Sequence, residues 1–213
     1  VDEAAPRDGA RRINQENRRN LGRTPNQVIQ QMPPNALESL TALMVSKISV
    51  KDPRYDVGWA YGPFLAGVPK RLGHSVALDA ATEAFVLSLP PTTHHRKHPD
   101  PSVLQSYIVA LEATRIALAD PVQRRNVDTL CAAYFLLVCQ DRIGVPGDIW
   151  VHAVGINHML NDLGSTFDAS NEFDMSLIVV LCSIVVRSAA CVNDNALTRT
   201  NRAAKSSSTK PWK

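Results

Sequence analysis

The stretch Asp128 to Arg142, DTLCAAYFLLVCQDR, decides the fold. From Leu130 through Val138 it carries apolar residues with no polar interruption, so wound into a helix it is apolar nearly all round. Such a helix belongs in the middle of a bundle, where other helices cover every side. Asp128 reads as its N-cap, which predicts a helix over 128–142.

Working outward, the neighbouring segments supply the cover. Upstream, Asp100-Pro101 is an N-cap followed by a first-turn proline, and Leu104, Tyr107, Ile108, Leu111 and Leu118 form an apolar stripe that Asp120-Pro121 closes near Ala119. Downstream, Gly144-Val145-Pro146-Gly147 is a turn and Asp148 the next cap; Ile149, Ala153, Ile156, Leu160 and Leu163 then make a stripe ended by Gly164. Gly73 to Leu89 predicts a further helix stopped by Pro90-Pro91, whose Ala77, Ala80, Ala81 and Ala84 allow close helix packing. Asn35 with Glu38 three residues on reads as a capped start, and Leu37, Leu40, Met44 and Ile48 predict a helix over 36–51, broken by Asp52-Pro53. Between these two, Pro53, Gly58, Gly62, Pro63, Gly67 and Pro69 leave room for one short helix around 63–67.

Leu177 to Val186, LIVVLCSIVV, is the ambiguous run. Its β-branched residues suit a strand, but no second strand candidate exists, and an isolated strand leaves its backbone groups unpaired. It is therefore expected to be a helix following Asp174 and reaching about Cys191. Arg187 ends the apolar run at about half the roughly twenty residues that a membrane span needs, so it is a buried element and not an anchor. The fold class expected is all-α, a bundle of about six helices, with no βαβ alternation and no internal repeat.

The 213 residues, 45% apolar and 6% aromatic, suffice for a proper core. Residues 1–34 hold six Arg against four acids, a net +2; residues 35–195 hold twelve basic residues against sixteen acids, a net −4; the last eighteen hold five basic residues and no acid. The alkaline balance thus sits in the ends, and the body offers no globular nucleic-acid surface. Residues 1–34 are expected to be a disordered linker, 35–195 the helical domain and 196–213 a disordered basic tail. Four sparse cysteines and a start without the pattern of a secretion signal fit a reducing intracellular compartment.

The residues that carry chemistry elsewhere are poorly arranged for it. Cys131 and Cys139 stand about 12 Å apart along one helix, and Cys182 and Cys191 lie on opposite faces of another, so small buried thiols are expected. His94, His95 and His98 share a loop with Arg96 and Lys97, cations that oppose a metal shell. His152 and His158 are six residues apart, about 120° around the helix, and cannot form the i,i+4 pair of helical metal sites. His152 falls in the first turn after Asp148 and could donate to that carboxylate. No nucleophile elbow and no glycine-rich phosphate loop occurs. Neither a catalytic residue, a metal nor a cofactor is expected. The arginines of 7–23 lack interleaved aromatics and read as a solvated linker.

The order and spacing of these helices carry a resemblance. Tyr107, Ala110-Leu111, Leu118 and Asp120-Pro121, then Asp128 to Ala133 with Leu136-Leu137, then Trp150, His152, Gly155-Ile156, Leu160 and Gly164, resemble the regulatory middle-homology region of fungal zinc binuclear-cluster transcription factors. Phe64 to Leu89 looks like the helices that precede it there, bringing the likeness to roughly 130 residues. The resemblance implies a nuclear, helical regulatory domain that answers a small-molecule effector or contacts protein partners, with any ligand in an apolar gap between helices. No cysteine precedes Cys131, so the family's six-cysteine cluster is missing and no direct DNA binding by this chain is expected. Because about fifty residues follow Gly164, where the family runs on further, the chain reads as a fragment, a truncated gene product, or a relative without its DNA reader. Trp150, His152, Gly155, Leu160 and Gly164 are expected to be structural, with Gly155 admitting a neighbouring helix and Trp150 filling the gap beside it. The alternatives are a small helical enzyme with His152 or His158 as general base in an interhelical pocket, and a non-functional remnant.

Overall fold

The computed structural model describes residues 31–50, 52, 56–89, 100–144, 149–164 and 167–187, and of Ile149 and Trp150 the backbone alone. Expectations for residues 1–30, the histidine loop, Asp148, the side chain of Trp150, Cys191 and the tail 196–213 lie outside the described residues. Within them the chain is all-α: helices and short 3₁₀ segments joined by turns, with no strand among the described residues. No helix among them is long and apolar enough to cross a membrane.

Helix α1 spans Pro34–Ile48. It starts from Pro33 with no side-chain cap, and Pro34, its φ already helical, takes the first position. Asn35 is therefore not the cap expected of it; it lies inside the first turn, where its carbonyl accepts the Ser39 hydroxyl at 2.9 Å. Just before it, the Gln31 side chain donates to the Gly73 carbonyl at 2.9 Å.

The segment expected to hold one short helix holds two. Asp56 accepts the Trp59 amide at 3.0 Å and so caps α2, Val57–Tyr61, and a 3₁₀ segment then runs Pro63–Lys70. The glycines that read as breakers are packing devices. Gly62 sits at φ +125°, and a Cβ on it would lie 2.7 Å from Val180. A Cβ on Gly67 would lie 2.8 Å from the Phe173 ring. Both admit side chains from α7, the helix over residues 172–187.

Helix α3, Val76–Ser88, is capped by Ser75, and its Ala77, Ala80, Ala81 and Ala84 are all buried, as their size predicts. Asp100 caps α4, Pro101–Ala119, through the Ser102 amide at 3.0 Å. For α5, Val127–Ile143, the cap is Asn126 and not Asp128. Asn126 accepts the Asp128 amide at 2.9 Å, which leaves the Asp128 carboxylate to take Arg71 Nε at 2.5 Å. Gly144 ends α5 in the left-handed conformation, φ +64°. Helix α6 is Ile149–Leu163. In α7 the cap is Asn171, which accepts the Phe173 amide at 3.0 Å, where Asp174 had been expected to precede the helix.

Helix α5 is the axis of the fold, with every residue from Val127 to Gln140 buried. Helices α3 and α4 pack against it and against each other, α6 packs on another side, and α1 lies on α3. Four of the five phenylalanines converge at its middle: Phe85 stacks on Phe135 with centroids 4.5 Å apart, and Phe64 meets Tyr134, Phe135 and Phe173. Burying each such ring contributes about 1.5–3 kcal/mol, so a chain poor in aromatics concentrates them where they exclude most water.

A buried polar group ties the 3₁₀ segment to α5 and α7. Arg71 bonds Asp128, lies 3.9 Å from Asp174 and stands 4.4 Å over the Phe173 ring. The Asp174 oxygen on that side is too far from Arg71 for a hydrogen bond, and burial raises the affinity of its carboxyl for a proton. Buried pairs of this kind fix one arrangement of elements more than they add net stability.

Candidate functional site

The site follows from how α4 is turned. Its inward face is Val103, Tyr107, Ala110, Ala113, Thr114 and Ala117, spaced at helical intervals. Three alanines on that face let α4 lie close against α3 and α5. The larger Leu104, Ile108, Leu111 and Leu118, expected to be the buried stripe, face outward, and Ile108 is 51% exposed. Of that expected stripe, Tyr107 alone is buried.

The outward face of α4 and the facing side of α6 form the two walls of a groove of about 740 Å³. Ile108, Leu111 and Leu118 stand on one wall, Val151, Ile156 and Met159 on the other, and Ala133 and Leu136 of α5 make the floor. Its volume lies within the range of about 300–1,000 Å³ typical of small-molecule sites.

Polar groups break the apolar lining. Thr114 is 3% exposed and its hydroxyl has no hydrogen-bond partner. Arg124 has a buried Nε with no partner either. The Asp120 carboxylate places it, accepting the Val122 amide at 2.7 Å and the Gln123 amide at 3.2 Å to hold the short 3₁₀ turn Gln123–Arg125; those two bonds keep Asp120 acidic beyond the usual carboxylate. Glu112 and Arg115 bond each other at 2.8 and 2.5 Å and cancel. His152 is half-buried, and burial pushes its pKa down, so its imidazole is neutral at pH 7.

The expected motif residues separate here. Gly155 lines the groove, and a Cβ on it would meet nothing within 4 Å, so it admits no neighbouring helix and the packing role expected of it is incorrect. The reason is that α4 and α6 stand apart across α5. His152 also lines the groove, while Leu160 is half-buried on α6 and Gly164 ends that helix at φ +48°. His158 reaches the lip and is exposed. Cys131 and Cys139 are buried thiols, as expected; burial pushes Cys139 up to about 12 and Cys131 well above its usual range, so neither is a ready nucleophile. Cys182, expected to be buried, is exposed on α7. No group of three or more metal-ligating side chains occurs among the described residues.

Thr114 and Arg124 were missed in the sequence. A hydroxyl in the Ala110-Ala113-Ala117 stripe was the available signal for Thr114; nothing in the sequence singles out Arg124 over its neighbours.

A second cleft, of about 970 Å³, lies where α2 and the 3₁₀ segment meet α7, bordered by Asp56, Trp59, Val180 and Arg187. It is larger, but none of the unpartnered buried polar atoms among the described residues belongs to its lining. The α4–α6 groove is the better candidate.

Compared with protein-family models, with curated proteins and with solved structures, the chain matches none of them.

Proposed function

We propose that the chain is a non-catalytic regulatory module, the effector-responsive or partner-binding part of a fungal transcriptional regulator that acts in the nucleus without a DNA-binding element of its own. The observation that carries this reading is the outward turn of the apolar face of α4, which opens a groove beside α6 instead of filling the core. A helix that keeps leucines and isoleucines in water where its alanines could have been exposed carries a cost that a bound effector or partner offsets. The sequence likeness to the middle-homology region supplies the biological setting. Occupation of the groove would act by favouring one separation of α4 and α6 over another, which requires different affinity for the two states.

The enzyme reading has one observation in its favour, the neutral His152 in the groove wall. A general base also needs an orienting group, and His152 has no hydrogen bond to a carboxylate among the described residues; the regulatory reading is preferred.

The test joins the full chain to a heterologous DNA-binding domain upstream of a reporter in yeast. A several-fold change in transcription that Gly155→Trp, which fills the groove, abolishes while the protein stays folded and nuclear supports the proposal. A reporter left at the level of the DNA-binding domain alone overturns it.

A further inference from the structure

We infer that the α4–α6 groove binds a small apolar monocarboxylic acid, its carboxylate against Arg124 and Thr114 and its hydrocarbon body across Gly155. The inference rests on the effector reading of the groove and adds the chemistry of the ligand.

Three features of the groove lining support it. Gly155 occupies a helical position, where glycine is unfavourable relative to alanine by about 1 kcal/mol. Its φ is not in the left-handed range and no atom approaches the place of its missing Cβ, so neither backbone geometry nor packing accounts for it. What the glycine does is leave the wall of α6 open where it lines the groove, so that a ligand can approach the backbone closely.

The second feature is the Thr114 hydroxyl, which is buried with no partner among the described residues. A threonine within a helix can return its proton to a carbonyl one turn back; this one does not. The third is Arg124 Nε, a cationic donor that is buried and unpartnered. A donor of this kind beside apolar side chains is best satisfied by an anionic oxygen, and a carboxylate accepts from a guanidinium and a hydroxyl together. The remaining charges do not compete for it from inside the groove. Glu112 is committed to Arg115, and Asp162 is exposed on the α6 lip. The apolar side chains of the walls, Leu111, Leu118 and Ile156 among them, suit a hydrocarbon or aryl body.

The test is titration calorimetry of the full chain with 4-phenylbutanoate and with 4-phenylbutan-1-ol, the same body without the charge. The expected result is binding of the acid at least about tenfold tighter than the alcohol, with Arg124→Gln removing that advantage and leaving the alcohol unchanged. Thr114→Val, of the same shape, should weaken the acid several-fold while the variant melts no lower than the parent. Gly155→Trp should abolish both. Equal affinity for acid and alcohol, both lost in Gly155→Trp, overturns the acid and leaves the effector reading standing. Binding of neither probe overturns the inference together with the small-molecule arm of that reading. Acid binding that survives Gly155→Trp places the ligand elsewhere and also overturns it.

Discussion

Helices α4 and α5 lie against each other, are of similar length and are both rich in apolar residues, yet water treats them differently. Around α5 every direction is occupied, so its identity as an apolar helix and its burial are the same fact. Around α4 one side is occupied, and that side is taken by Ala110, Ala113 and Ala117 while Ile108 and Leu111 look outward. The lesson is that the largest residues of an amphipathic helix do not have to be its buried ones. Where two neighbours, α3 and α5, are themselves lined with small or closely packed residues, alanines on the facing helix permit the shortest approach and the most dispersion contact.

The contrast can be broken by substitution. Phe135→Ala in α5 removes a fully buried ring stacked on Phe85, and should destabilise the protein by about 4 kcal/mol in urea unfolding, whereas Ile108→Ala on the outer side of α4 should cost less than about 1 kcal/mol. In the same series Ala113→Leu, which adds bulk to the close face of α4, should cost about 2 kcal/mol through overpacking. If Ile108→Ala proved the costlier of the α4 pair, α4 would be turned the other way.

Gly155→Ala sharpens the comparison on the α6 side. With open space at the Cβ and an ordinary helical backbone, the change should stabilise the protein by about 1 kcal/mol, read as a raised urea midpoint. A loss of stability would show that something packs there.

The smallest effect is that of pH through His152. Burial lowers its folded pKa, so the unfolded chain, near 6.5, takes up the proton first. The histidine's contribution is fully present above about pH 6.5 and is lost as pH falls below it. The urea midpoint of the parent should therefore drop further between pH 7.5 and 5.5 than that of His152→Gln; equal drops would show the imidazole to be fully solvated in the fold.

Much of the architecture was legible in the chain. The caps at Asp100, the alanine stripe of α3, the all-round apolar α5 and the helical reading of 177–186 follow from periodicity and from the absence of any strand to pair with. The misreadings share one cause. Asn35 and Asp128 read as caps, and Asp174 as the residue before the last helix, because their residue types suit a helix start, but Pro33-Pro34, Asn126 and Asn171 stand there instead, and a helix start depends on which residue's backbone leaves the helix first. Gly62 and Gly67 read as breakers because their use, the admission of Val180 and Phe173, depends on residues far along the chain. Of the candidate site, His152 and Gly155 were in view for other reasons, whereas Thr114 and Arg124 were not.

The sequence by itself determined that the chain is helical and that α5 lies at the centre, because both depend on the local spacing of apolar residues along one segment. Which face of α4 is inward, that Gly155 faces open space, and that Arg71 joins Asp128 and approaches Asp174 were decided by the tertiary structure alone. Each depends on the distance between segments brought together by packing, and a period along one helix carries no information about what stands across from it.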